Sequence, residues 1–169
     1  MESRMITKFR AKKLTGKKFA LAAVIGIAVP MFSSVAISQE EEERFFESKY
    51  RHDTMQHFNY SMQKLVPILF QGTGNPDHLP AIARIMASTA TMTKSVFEKD
   101  TRGMEGHTKS KDAVWENWED FAKRMDGLQA DTAAFAEVTQ RTTDIDEIKA
   151  AFGNVGRNCK GCHDEYKAK

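Results

Sequence analysis

Cysteine is nearly missing from this 169-residue chain: Cys159 and Cys162 are the whole supply, and both fall in the closing segment NVGRNCKGCHDEYKAK. A structural zinc site built from two cysteine knuckles is excluded, because there is no second pair. Proline is scarce as well, with four residues, too few for a disordered proline-rich chain. Glycine-rich phosphate loops, internal repeats, low-complexity tracts and strand-like alternation are all missing. No serine–histidine–acid arrangement stands out, so a catalytic role is not expected. One long apolar run occurs, FALAAVIGIAVPMF, and it is shorter than the ~20 residues a membrane span needs.

That run sits inside a leader. Residues 1–38 hold seven of the 25 basic residues and one of the 23 acidic ones, followed by the apolar run and then small residues. This is the layout of a secretory signal peptide. Ala36 and Ser38 suit cleavage before Gln39, with cleavage after Ala36 as the near alternative. The expected mature domain, 39–169, keeps 18 basic and 22 acidic residues, a net charge of −4 against +2 for the whole chain. It lacks the positive charge that nucleic-acid binding demands. Export places it in the periplasm, an oxidising compartment, with no stable membrane insertion once the leader is removed.

What remains is helical throughout. Met55, Phe58, Met62, Leu65 and Leu69 recur at steps of three and four along a first helix, with the acidic cluster Glu40–Glu43 at its start and Pro67 bending its last turn. QGTGNPD breaks the pattern. A second helix is expected from about Leu79 to Phe97 with Ile82, Ile85, Thr89, Met92 and Val96 inward. EKDTRGMEGHTKSKD reads as a loop, and a third helix follows from about Ala113 to Thr139 on the stripe Trp118, Phe121, Met125, Leu128, Thr132, Phe135. A fourth begins after the cap Asp144. The fold class implied is all-α, an antiparallel four-helix bundle in one domain.

The fourth helix carries the chemistry. Its inward stripe, Ile145, Ile148, Phe152, Val155, Cys159, Cys162, Tyr166, places both thiols on the core face one turn apart, with His163 on nearly the same side. C-x-x-C-H is the attachment signature of a c-type haem. Two thiols one turn apart can each form a thioether with one porphyrin vinyl group, and the next histidine reaches the iron as proximal ligand. A thioredoxin-type pair wants a βαβ setting that is not visible, and an i,i+3 disulfide would distort the helix for little stability. One covalent haem c is therefore the expected cofactor.

DIDEIKAAFGNVGRNCKGCHDEYKAK closely resembles the last helix of the cytochrome c′ family, including its low-spin, methionine-ligated relatives. KYRHDTM resembles that family's distal segment, where an arginine precedes by four residues the side chain facing the iron's open side. The resemblance implies that Arg51 lies near a haem propionate and that Met55 takes the distal position. It also implies a homodimer through the first two helices, for which Phe45 and Phe46 offer apolar surface. Lys167 departs from a family arginine, keeping the charge but losing the bidentate fork. The segment between Pro67 and Gly72 is one residue longer than the family pattern.

The distal residue separates two functions. His/Met ligation stabilises ferrous iron and suits a single-electron carrier working between redox partner proteins. An apolar distal residue instead leaves a five-coordinate iron that binds nitric oxide or carbon monoxide. Met55 as plain core filler is the bland alternative, and His52, three residues earlier, is a rival ligand. Trp115, Trp118 and Phe152 could stack on a porphyrin or simply fill the core. Gly153 and Gly156 could allow a close approach to a helix or haem, and His57, His78 and His107 read as solvated. The reading taken forward is a monohaem carrier with His163 and Met55 on the iron.

Overall fold

The computed structural model describes residues 43–169. The leader and both cleavage positions lie outside the described residues. Among the described residues no helix is long and apolar enough to cross a membrane.

Helix α1 spans Phe46–Phe70 and buries Arg51, Thr54, Phe58, Ser61, Leu65 and Leu69, a ladder of threes and fours. Pro67 sits inside it without ending it, because only one intrahelical bond is lost and the helix ends a turn later. The Pro67 carbonyl accepts from Gln71 N (3.1 Å) and Thr73 N (3.2 Å), closing the helix. Pro76–His78 form a short 3-10 turn in which the Asn75 side chain accepts from Asp77 N at 3.0 Å.

Helix α2 spans Leu79–Thr93, shorter than expected, with a separate 3-10 turn at Ser95–Phe97. Its buried face runs through Ile82, Ala83, Met86, Thr89, Ala90 and Thr93. Ile85 and Met92, expected inward, are 52% and 40% exposed. Ala83, Thr89, Ala90 and Thr93 make up over half of that face, and their small side chains give a weak hydropathy signal.

The expected third helix is two pieces. A single turn, α3, covers Ala113–Glu116, the chain breaks at Asn117 (φ −121°, ψ 45°), and α4 covers Trp118–Arg141. The break separates the two tryptophans: Trp115 Nε1 donates to Phe97 O at 2.9 Å, while Trp118 stacks on Phe121 at 5.7 Å. Helix α5 spans Ile145–Tyr166 and starts where expected, with Asp144 Oδ1 accepting from Asp146 N (2.9 Å) and Glu147 N (3.4 Å).

Helices α1 and α2, α2 and α4, and α4 and α5 pack against one another, whereas α1 and α5 make no extensive approach. The bundle is thus wider between its first and last helices, which meet at one end where the Phe70 and Phe152 ring centroids lie 6.1 Å apart. Two apolar clusters result, a large one around Leu65, Met86, Phe135 and Val155 and a smaller one around Phe97, Phe121, Met125 and Tyr166. Met55 packs against both.

The segment between the 3-10 turn at 95–97 and α3 is not a free loop. At one end His107 N donates to Glu43 O (3.1 Å) and Ser48 Oγ to His107 O (2.7 Å), so His107 is half-buried rather than solvated. Gly106 makes this possible: its φ is +113°, and a Cβ there would lie 3.0 Å from Glu43 O. At the other end Ser110 and Lys167 form an antiparallel bridge, with Lys111 N donating to Tyr166 O (3.0 Å) and Ala168 N to Lys109 O (2.9 Å). The segment therefore ties the start of α1 to the end of α5.

Candidate haem site

A cavity of about 630 Å³ lies where the two clusters fail to meet, lined by α1, the 98–112 segment, α4 and α5. All five residues singled out from the sequence, Arg51, Met55, Cys159, Cys162 and His163, line it, and so does the rival His52.

Helix α5 supplies the first three groups of the expected attachment. Both cysteines are free thiols, Cys162 buried and Cys159 half-buried. Burial pushes both upward, Cys162 to about 11. Neither is poised as a redox thiolate, which needs the opposite shift. His163 follows at the cavity edge, and burial, then the neighbouring Lys167 charge, lowers its pKa. That direction favours the neutral form a metal ligand requires, in a ring exposed at the cavity edge.

The end of α5 is fixed from α4. Arg124 Nη1 donates to Gly161 O (2.9 Å), inside the Cys-x-x-Cys turn, while its Nε donates to Asp120 (2.6 Å). Tyr166 OH donates to the same Asp120 carboxylate (2.6 Å), and the Arg124 guanidinium lies 5.5 Å from the Tyr166 ring centroid. Sequence reading missed this network; its only local signal was the i,i+4 spacing of Asp120 and Arg124. Gly153 and Gly156 do not mark a close helix contact: a Cβ at Gly156 would meet nothing within 4 Å. The tight point is Gly127, where a Cβ would sit 2.9 Å from Asn158 Nδ2.

Helix α1 supplies the facing wall. Met55 is half-buried there. The His52 ring Nε2 lies 3.3 Å from Gln56 Nε2, so that nitrogen is already engaged with its own helix. Burial first, then Arg44, lowers the His52 pKa.

Arg51 is 2% exposed. Its guanidinium carbon lies 5.7 Å from the Phe45 ring centroid, 5.5 Å from Phe97 and 5.4 Å from Trp115, and Nη2 donates to Thr101 Oγ1 at 3.1 Å. Phe45 is accordingly half-buried rather than free surface, whereas Phe46 is 77% exposed. Arg51 Nε and Nη1 have no hydrogen-bond partner. A buried cation with unmet donors and no carboxylate on it fits an anionic group entering the cavity. Free thiols one turn apart, a neutral imidazole, an orphaned cation and a large apolar void together fit a porphyrin bearing propionates.

A helical bundle whose last helix ends in Cys-x-x-Cys-His on such a cavity wall defines a class, the c-type haem proteins built on four helices. The family model described as Cytochrome C′ matches residues 47–167. This chain belongs to the cytochrome c′ family, whose members carry covalently attached haem c. Among curated relatives, cytochrome c′ of Allochromatium vinosum is 27% identical over 140 residues, 81% of this chain and 88% of its own. The solved cytochrome c′ of Shewanella frigidimarina is 26% identical with a TM-score of 0.66, covering 73% of this chain and 94% of that one. Cytochrome c′ of Alcaligenes xylosoxidans, solved in forms that include a nitric oxide complex, shares the fold at 22% identity and a TM-score of 0.63 over 73% of this chain and 94% of that one. The four-helix-bundle fold expected from the sequence is the fold of these relatives.

Proposed function

We propose that this protein is an exported monohaem cytochrome passing single electrons between redox partners, with Cys159 and Cys162 as thioether attachments, His163 as proximal ligand and Met55 as distal ligand. Haem, when bound, supplies a one-electron iron couple. The chain's own residues do the rest. Helix α5 presents two thiols in one turn and a neutral imidazole beside them, and the Arg124–Gly161 bond holds that turn. Met55 offers its sulfur from α1, the other wall of the cavity, while Gln56 engages His52. Arg51 keeps two donor nitrogens, Nε and Nη1, without a partner, and these would suit a propionate.

The observation carrying this reading is that Met55 and His163, on α1 and α5, line one cavity. The test is the absorption spectrum of the oxidised protein. A sulfur-to-iron charge-transfer band, lost in Met55→Leu together with a change to high spin and ready carbon monoxide uptake, is the expected result. A wild-type protein already high-spin, or a spin state indifferent to the substitution, would discard the ligation.

A second reading, a five-coordinate cytochrome c′ that takes nitric oxide or carbon monoxide, is the one family membership favours, since the relatives matched over most of their length carry that name. Under it Met55 is core filler. Removal of residues 1–38 and delivery to the periplasm belong to the same proposal, and N-terminal sequencing of exported protein should begin at Gln39 or Ile37. Exposed Phe46, Tyr60 and Ile85 on α1 and α2 support a homodimer through those helices, which sedimentation velocity tests directly.

A further inference from the structure

The charges around the cavity are segregated in a way that haem binding does not use up. Residues 43–169 hold 18 basic and 19 acidic side chains, yet the described cavity wall contains Arg44, Arg51, Lys109 and Lys167 and no carboxylate. Arg51 is buried at the inner end, whereas Arg44 is half-buried and Lys109 and Lys167 are exposed. The bridge at Ser110 and Lys167, and the Ala168 N to Lys109 O bond, hold the backbones that carry the two lysines together, with Lys109 Nζ also donating to Lys169 O (3.4 Å). Of the carboxylates adjacent in sequence to the wall, Asp53 is matched by Lys49, Asp164 by Lys160, Glu47 by Lys99, Asp120 by Arg124 and Asp126 by Lys94, while Glu43, Glu98 and Glu165 make no ion pair among the described residues.

A haem c brings two propionates, which offset two of the four cations. Two positive charges then remain at the mouth, before the charge of ferric iron is added. A partner could approach a porphyrin held in the cavity through this opening, so electrons would cross there. A local field of one sign at the crossing point steers encounter more than the distant charges of the chain, which are screened beyond about 8–10 Å at ordinary salt.

We propose that the mouth of the haem cavity, carried by Arg44, Lys109 and Lys167, is the docking face for redox partners, and that it takes a carboxylate-rich protein surface. The proposal rests on the haem reading above. It runs against the net charge of −4 over 39–169, and that opposition provides the test.

The ferrous protein, its haem content first established by pyridine haemochrome so that loss of the cofactor is distinguished from loss of docking, is oxidised in stopped flow by hexacyanoferrate(III), an anion, and by tris(phenanthroline)cobalt(III), a cation. As salt rises from about 0.01 M to about 0.15 M, the anion reaction should slow several-fold and the cation reaction should quicken. A protein steered by its total charge shows the reverse in both, and that result overturns the proposal. Arg44→Gln/Lys109→Gln should flatten the salt dependence, and Arg44→Glu/Lys109→Glu should invert it. Slopes unchanged in haem-replete variants also overturn it. Poly-L-glutamate at low salt should slow the hexacyanoferrate reaction saturably, while the same carboxylate concentration as free glutamate should not. No inhibition by the polymer removes the acidic surface as partner.

Discussion

Arg51 shows how much one buried side chain can say. A guanidinium loses favourable hydration on burial, and a cost of several kcal/mol is offset only when opposite charge and full hydrogen bonding replace the water. Three ring faces and one threonine hydroxyl replace part of it, and two donors stay unmet. A propionate would complete the set. Removing the cation should then favour ferric iron: in Arg51→Met the reduction potential should fall by on the order of 1 kcal/mol, about 40 mV for one electron. Spectroelectrochemical titration reads this directly, and an unshifted potential would mean that Arg51 does not sense the haem. The sequence made Arg51 and Met55 visible only through the four-residue spacing in KYRHDTM and its resemblance to a family segment. The cage was hidden, because Thr101 and Trp115 join Arg51 across long stretches of chain, fifty residues in the case of Thr101, and no local pattern reports such contacts.

Helix α5 is the element whose sequence and structure agree most fully, from the Asp144 cap to Tyr166 at its end. Substituting Asp144→Ala should remove the acceptor for two N–H groups and cost about 1 kcal/mol in chemical denaturation. At the other end Tyr166 is pushed up to about 12, by burial first and then by its hydrogen bond to Asp120. The folded state thus favours the neutral phenol over an unfolded value near 10. Between about pH 10 and about pH 12 the unfolded chain binds fewer protons than the folded one, so this group's contribution is complete below that window and lost through it. Tyr166→Phe should be less stable by about 1–2 kcal/mol at neutral pH. The gap to wild type should narrow as pH rises through the window. Denaturation midpoints of both proteins from pH 8 upward check it, and a constant gap refutes the assignment. Elsewhere the elements were less legible. On α2 alanine and threonine share the buried face with Leu79, Ile82 and Met86, so the apolar Ile85 and Met92 drew part of the expected stripe off register. The break at Asn117 follows two residues after Trp115, whose indole donates to Phe97 O, a tertiary contact that no local pattern reports.

At the scale of the whole molecule the bundle was legible from its stripes, but its opening was not, since periodicity says which face of a helix is apolar and nothing about which neighbours stay apart. The separation of α1 from α5 leaves the two clusters joined mainly through Met55 and the cavity between them. Dry core of that extent is costly: at about 24 cal/mol per Å³, a void of about 630 Å³ corresponds to roughly 15 kcal/mol. That equals the upper end of what a domain has in total, about 5–15 kcal/mol. Water entering from the open side lowers that cost, and a large apolar occupant would remove it. A chain with Cys159→Ala and Cys162→Ala, produced without haem, should therefore keep its far-ultraviolet helical signal but lose the near-ultraviolet signal of Trp115 and Trp118 and unfold over a broad range, as compact states without fixed packing do. A sharp, cooperative transition with native aromatic signal would show instead that α1 and α5 are held apart by the protein alone. Among the described residues the 98–112 segment is placed to do that, because it bonds to both the start of α1 and the end of α5. Adding Ser48→Ala and Gly106→Ala to that variant would then separate the two explanations: broad unfolding restored by loosening the tie assigns the opening to the segment, and a transition still sharp assigns it to the helices themselves.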